Sequence, residues 1–188
     1  IRGCTQTQGD VRKLLSRAMS SPFFPVPFSD LAAELTYQDD CVLSYHVGPV
    51  EVFPIKISHP NGGQGYKLVE NGKVFVFLTD NELCYSHRGG LTPADYAAFC
   101  HHADLLIHDA EYTPEEYERT RGWGHSTYLQ ALDLAIQAEV KQFGLFHHNQ
   151  DRHDKAVDRL VNHCREIIAD RKLELEVFGL TQEIQMVL

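Results

Sequence analysis

Eleven histidines in 188 residues make imidazole the first chemistry to account for. His59 follows the apolar run 50–57 and opens the loop 60–65. Asp80 closes Leu78-Thr79-Asp80 after the run 74–78, and His147 and His148 follow the run 142–146. A rigid scaffold presents residues just past strand ends, so three strands can bring imidazole, carboxylate and imidazole to one edge of a sheet. Neutral imidazole with carboxylate oxygen suits zinc, manganese or iron. Each residue also has a plainer reading. A histidine after a strand is commonly a satisfied surface side chain, and Asp in Thr-Asp-Asn is a turn former. In Trp123-Gly-His-Ser-Thr127, His125 lies just before a helix start, where amide N–H groups attract an anion and an imidazole can donate a proton. It is equally the residue that precedes a Ser126 cap.

The elements that must position these residues are legible as two regimes. Up to residue 90 the pattern is strands and turns. Residues 10–19 form a short amphipathic helix. The segment 22–28, Pro-Phe-Phe-Pro-Val-Pro-Phe, cannot be regular helix and fits an ordered pocket wall or a dimer contact, which leaves a homo-oligomer open. Strands follow at 50–57, 65–69 and 74–78. Pro54 points to an edge or a bulge in the first, and Asn71-Gly72 joins the last two as a hairpin turn. After residue 90 helices and strands alternate. Thr92-Pro-Ala-Asp95 and Thr113-Pro-Glu-Glu116 share one start signature: a threonine cap, proline at the first helical position and an acid three residues on. Strands are expected at 104–109, 142–146, 173–178 and 183–188, with helices from Ser126 and over 154–169. Hairpins followed by alternation predict an α/β (α+β) protein of layered sheets with helices outside.

Composition narrows the partners. Seventeen Lys+Arg against 26 Asp+Glu give a net charge of −9, and no basic run is present to neutralise phosphates, so nucleic acid is not expected as a partner. No apolar run reaches the ~18–20 residues of a spanning helix, so no membrane is expected. Five cysteines, at 4, 41, 84, 100 and 164, lack CxxC spacing and read as free thiols of a cytoplasmic protein.

Taken in order, His59-Pro…Gly65-Tyr66, Phe77-Leu-Thr-Asp80, Ala103-Asp-Leu-Leu-Ile-His-Asp-Ala110, Gly124-His-Ser-Thr127 and Leu145-Phe-His-His148 resemble the later half of the metallo-β-lactamase fold. The branch is the one that holds ribonuclease Z and related phosphodiesterases. The resemblance implies a four-layer αββα sandwich, of which residues 1–188 form the C-terminal portion of a single, N-terminally incomplete domain. It implies two divalent metal ions, zinc in the first place with manganese or iron as alternatives. His59 matches a ligand of the first metal, Asp80 the bridging carboxylate and His147 a ligand of the second, with His148 as the alternative. His125 matches the His-Ser-Thr histidine, a catalytic acid. Asp109, in place of the branch's usual Glu, would orient it, and Glu111 replaces its usual Thr. His108 and His163 are expected to be structural, and His46, His87, His101, His102 and His153 exposed.

The family's His-x-His-x-Asp-His motif does not occur in these residues; His101-His102 lacks the following Asp-His. Upstream of Ile1 is its expected place, and the isolated segment is expected to bind metal poorly. The implied function is metal-dependent hydrolysis of a small phosphodiester, a cyclic nucleotide among the options, by hydroxide held between two metals. An ester, thioester or lactam hydrolase, or a non-catalytic metal-binding module, is the alternative.

Overall fold

The computed structural model describes residues 1–3, 10–38 and 41–188, and the chain divides into two units, Ile1–Leu43 and Ser44–Leu188. In the first unit α1 (Val11–Ala18) starts where Asp10 accepts from the Lys13 N–H. A 3-10 turn covers Phe28–Asp30. Phe24, Pro25, Pro27 and Phe28 line a surface cavity of about 310 Å³ with Met19 and Ser20, while Phe23 and Val26 of the same segment are exposed. Cys41 is disulfide-bonded, which corrects the expectation of free thiols throughout; Cys84, Cys100 and Cys164 are free. Cys4 lies outside the described residues.

The second unit is built on one seven-stranded sheet in sequence order: β1 (Tyr45–Val47), β2 (Val50–Lys56), β3 (Gln64–Glu70), β4 (Lys73–Leu78), β5 (Leu105–Asp109), β6 (Gln142–Phe146) and β7 (Glu176–Gly179). β1 to β4 pair antiparallel, and β4 to β7 parallel. Asn71 (φ 50°) and Gly72 (φ 76°) both take positive φ between β3 and β4, the backbone a two-residue hairpin requires. Pro54 does not mark an edge strand, because β2 lies between β1 and β3. β1, however, covers only Val50–Val52. Alternate N–H groups point the same way along a strand, so the N–H that Pro54 lacks faces the side β1 does not reach.

Helices α2 (Pro93–Cys100), α3 (Pro114–Thr120), α4 (Tyr128–Gln137) and α5 (Asp154–Asp170) fill the connections between the parallel strands. Capping boxes at Thr92/Asp95 and Thr113/Glu116 start α2 and α3 as expected. α4 is capped by Thr127 with Gln130, not by Ser126. The Ser126 hydroxyl is engaged elsewhere: it donates to the Asn81 carbonyl at 2.6 Å and accepts from the Leu83 N–H at 3.0 Å.

Alternation along the strands divides the core. Val76, Leu78, Leu106, Phe143, Leu145 and Val177 pack with Tyr96, Cys100, Leu132, Val161, Cys164 and Ile168 of α2, α4 and α5. The other face carries Phe75, Phe77, Leu105, Ile107, Phe146 and Phe178. β5 is buried along its whole length, as a central parallel strand must be. One sheet and one helix layer are thus two of the four expected layers. Residues 183–188 form no strand. Met186 packs on the cluster of Leu105, Ile107 and Phe178, while Ile184, Val187 and Leu188 stay exposed.

Candidate metal centre

β2, β4, β5 and β6 run in one direction, since β2 is two antiparallel steps from β4 and β4 to β6 are parallel. Their C-terminal ends therefore share an edge, the general location of ligands in such sheets. Register aligns Leu78 with His108, His108 with Leu145, and Asp109 with Phe146. Asp80 and His147 thus emerge side by side, with Asp109 at the end of the strand between them. His59 comes from the end of β2. Asp80 and His147 both hold positive φ, 54° and 57°, a conformation that costs a non-glycine residue roughly 1–2 kcal/mol and clusters at functional sites.

His147 Nε2 lies 3.6 Å from Asp80 Oδ1, and its Nδ1 lies 3.0 Å from Glu111 Oε2. The His125 ring stacks on His147 at 4.4 Å between centroids and meets His59 edge-on at 5.6 Å. Donor atoms of His59, Asp80 and His125 fall within 4.8 Å of one another, as do those of Asp109, His125 and His147. The structure brings His59, Asp80, Asp109, His125 and His147 into one cluster, with His125 common to both groups. His148 is elsewhere: it lines a cavity of about 490 Å³ with Val157, Arg165, Phe178 and Thr181.

Asp109 is fully buried and its Oδ2 lies 2.6 Å from His125 Nδ1. Oδ1 accepts from the Glu111 and Ser126 N–H groups at 3.2 and 3.3 Å. A carboxylate on Nδ1 fixes the imidazole tautomer and leaves Nε2 as the reactive nitrogen. Burial lowers the His125 pKa, but the hydrogen bond and charge of Asp109 outweigh it, so the net shift is upward. The Glu111 contact pushes His147 up to about 9 against the effect of burial. Burial, reinforced by the His125 charge, lowers His59.

Two positions were read differently from sequence. Glu111 places its Oε2 3.0 Å from His147 Nδ1, a contact for which the sequence offers no local signal. His87, expected to be exposed, is inside: its Nε2 lies 2.7 Å from Oε2 of the fully buried Glu82. His108 is fully buried and structural, with Nδ1 2.7 Å from the Asp109 carbonyl and Nε2 3.1 Å from Asn81 Nδ2. Burial lowers its pKa. His163 Nδ1 lies 2.7 Å from the Tyr128 hydroxyl. His46, His101, His102 and His153 are exposed.

The donor chemistry fits a divalent metal of the zinc, manganese or iron kind. Imidazoles and a carboxylate converge, and buried or half-buried Asp109 and Glu111 back the Nδ1 atoms of His125 and His147, as partners of metal-binding histidines do.

No family model matches the chain. It is 23% identical to ribonuclease Z of Bacillus cereus over 117 residues, 62% of this chain and 35% of that protein. It is 32% identical to ribonuclease Z of Picrophilus torridus over 83 residues, 44% of this chain and 26% of that protein. The matched segment thus spans about a third or less of the length of these curated relatives. Among solved structures, the metallo-β-lactamase fold protein YhfI of Bacillus subtilis superposes with a TM-score of 0.61 at 15% identity, over 84% of this chain and 58% of that one. Zn(2+)-bound PqqB of Methylobacterium extorquens superposes with a TM-score of 0.53 at 14% identity, over 79% and 56% of the two chains. The ribonuclease name of the sequence relatives stands against the expectation, drawn from charge, that nucleic acid is not a partner. The chain has the metallo-β-lactamase fold and is similar in sequence to ribonuclease Z.

Proposed function

We propose that this chain contributes the C-terminal portion of a single metallo-β-lactamase-like domain, a metal-dependent hydrolase of phosphodiesters. Its first substrate class is a small phosphodiester, cyclic nucleotides included. The observation that carries the reading is the convergence of His59, Asp80, His125 and His147 on one sheet edge, with Asp109 0% exposed behind His125 at 2.6 Å. In this reading His59, Asp80 and His147 hold two divalent ions, zinc or else manganese or iron, together with donors outside these residues. Such ions supply a water acidic enough to act as nucleophile near neutral pH and offset charge on the phosphoryl oxygens. Asp80 would help to hold the ions through its carboxylate. Asp109 holds the proton on His125 Nδ1, so that His125 Nε2 gives its proton to the leaving oxygen. The hydrogen bond and charge of Asp109 shift the His125 pKa upward against burial, which favours the protonated imidazole. Glu111 orients His147 through Nδ1.

Ribonuclease Z relatives favour a second reading, in which the scissile phosphodiester is in RNA. The net charge of −9 favours the small substrate. A cytoplasmic location fits either reading, and no helix of the described residues is long and apolar enough to cross a membrane.

The test is hydrolysis of bis(4-nitrophenyl) phosphate, an activated carboxylic ester and an oligoribonucleotide with added Zn²⁺ or Mn²⁺. The expected result is slow diester turnover that Asp80→Asn abolishes. Cleavage confined to the oligoribonucleotide supports the RNA reading. Ester turnover that survives Asp80→Asn removes the proposal.

A further inference from the structure

Glu82 is fully buried and has no assigned role, yet both of its oxygens are saturated. Oε1 accepts from the Tyr117 hydroxyl and the Gly122 N–H, each at 2.7 Å. Oε2 accepts from the Gly124 N–H at 2.8 Å and lies 2.7 Å from His87 Nε2. A buried carboxylate survives only when compensated in this way. Burial raises its pKa, but the bonds from Tyr117, Gly122, His87 and Gly124 outweigh that, and the net shift is downward.

Most of these donors lie on the segment that leads into His125. Gly122 and Gly124 take φ of 87° and 106°, so the loop is held by Glu82 in a backbone that favours glycine. Gly124 is also the point where the loop meets the other histidine: a Cβ there would run into the His59 ring and Pro60. The residues beside Glu82 continue the tie. Its own N–H donates to the Ser58 carbonyl at 2.8 Å, Asn81 Oδ1 accepts from the Ser58 N–H at 2.8 Å, and the Leu83 N–H donates to Ser126 Oγ at 3.0 Å. Residues 81–83 therefore fasten Ser58, one residue before His59, to Gly124 and Ser126, which flank His125.

We propose that Glu82 is the positioning residue that sets His59 and His125 relative to one another, with Gly124 as the joint through which it acts. It touches no reacting atom. Its catalytic consequence rests on the hydrolase reading above; its structural consequence does not.

The experiment compares the parent chain with Glu82→Gln, Tyr117→Phe and Asp104→Asn. Glu82→Gln keeps the volume but loses the charge and one acceptor. Tyr117→Phe removes one donor, and serves if the glutamine variant fails to fold. Asp104→Asn weakens a buried carboxylate network at the other end of the sheet. Amide exchange at Gly122 and Gly124, the ring resonances of His59 and His125, and Zn²⁺ affinity are measured. Glu82→Gln is expected to speed exchange at both glycines by at least ~10-fold, to broaden or split both rings, and to weaken Zn²⁺ binding by ~10–100-fold. Tyr117→Phe is expected to give a smaller change of the same kind. Asp104→Asn is expected to leave all of these unchanged. Unmoved rings in both loop variants, or equal movement in Asp104→Asn, overturn the proposal. Should the parent show no turnover on any ester, the hydrolase reading fails while ring and exchange data still decide the role of Glu82.

Discussion

β5 is bracketed by two buried aspartates that do opposite jobs. Asp104, just before the strand, accepts from the Val74 N–H at 2.9 Å and from Lys141 Nζ at 2.7 Å, with Lys73 Nζ 3.8 Å away. Its charge is answered by cations whose side chains are largely exposed. Asp109, the last residue, is answered by an imidazole and two backbone N–H groups. Its partner His125 in turn shares a cluster with Asp80 and His147. A lysine partner stays charged at neutral pH and ends the network. A histidine partner can change its proton near neutral pH and passes the polarisation onward. The same residue type thus meets a lysine at one end of the strand and, at the other, the histidine proposed as the proton donor, and the partner is what separates the two ends.

Three substitutions sharpen or break that contrast, beginning with the largest effect. Asp109→Asn keeps the shape but lets His125 take the wrong tautomer; a loss of up to ~10⁴ in turnover is expected, read as kcat on the activated diester, with the fold retained by circular dichroism. Glu111→Gln removes the charge behind His147 and is expected to weaken Zn²⁺ binding by ~10–100-fold in a calorimetric titration. Asp104→Ala orphans the Val74 N–H and frees Lys141, and is expected to cost ~1–3 kcal/mol in urea unfolding without changing turnover per folded molecule. If the two aspartate variants lost activity alike, the distinction between the ends would be gone.

The pH dependence of stability follows the same contrast. The Lys141 hydrogen bond, aided by Val74, holds Asp104 below its ordinary 3.8. A depressed folded pKa means that Asp104 stabilises fully above the unfolded value and loses its contribution as pH falls through the folded one. Asp104→Asn should therefore lower stability most at neutral pH, converge on the parent below roughly pH 4 and so flatten the acid limb of the stability curve, as urea titrations across that range would show.

Where local chemistry decides an element, the sequence is a sufficient guide. Thr92-Pro and Thr113-Pro start helices, Asn71-Gly72 turns the β3–β4 hairpin, and the strands before His59, Asp80 and His147 lie at their expected places. The placement of those residues at one edge follows from shared strand direction, which alternation alone implies. What escapes is set by partners distant in sequence. Glu82 reads as one more acid after Thr79-Asp80-Asn81, because three of its donors come from residues 35 to 42 positions away. Ser126 and Thr127 are equally good caps by type, and only the Ser126 bonds to residues 81 and 83 decide between them. Residues 183–188 have strand-like alternation but pair with no strand, and only Met186 among them packs on the sheet face. Cys41 shows a cross-link that spacing cannot reveal.

The central claim is that His59, Asp80 and His147 hold divalent metal at one sheet edge, with His125 packed against them. Its most direct test is a Zn²⁺ titration of the chain followed by the ring resonances of all eleven histidines, with Asp80→Asn alongside. The account predicts that His59, His125 and His147 shift together, that His46, His101, His102 and His153 stay still, and that Asp80→Asn removes the response. Shifts spread over the exposed histidines, or a response indifferent to Asp80, would contradict it.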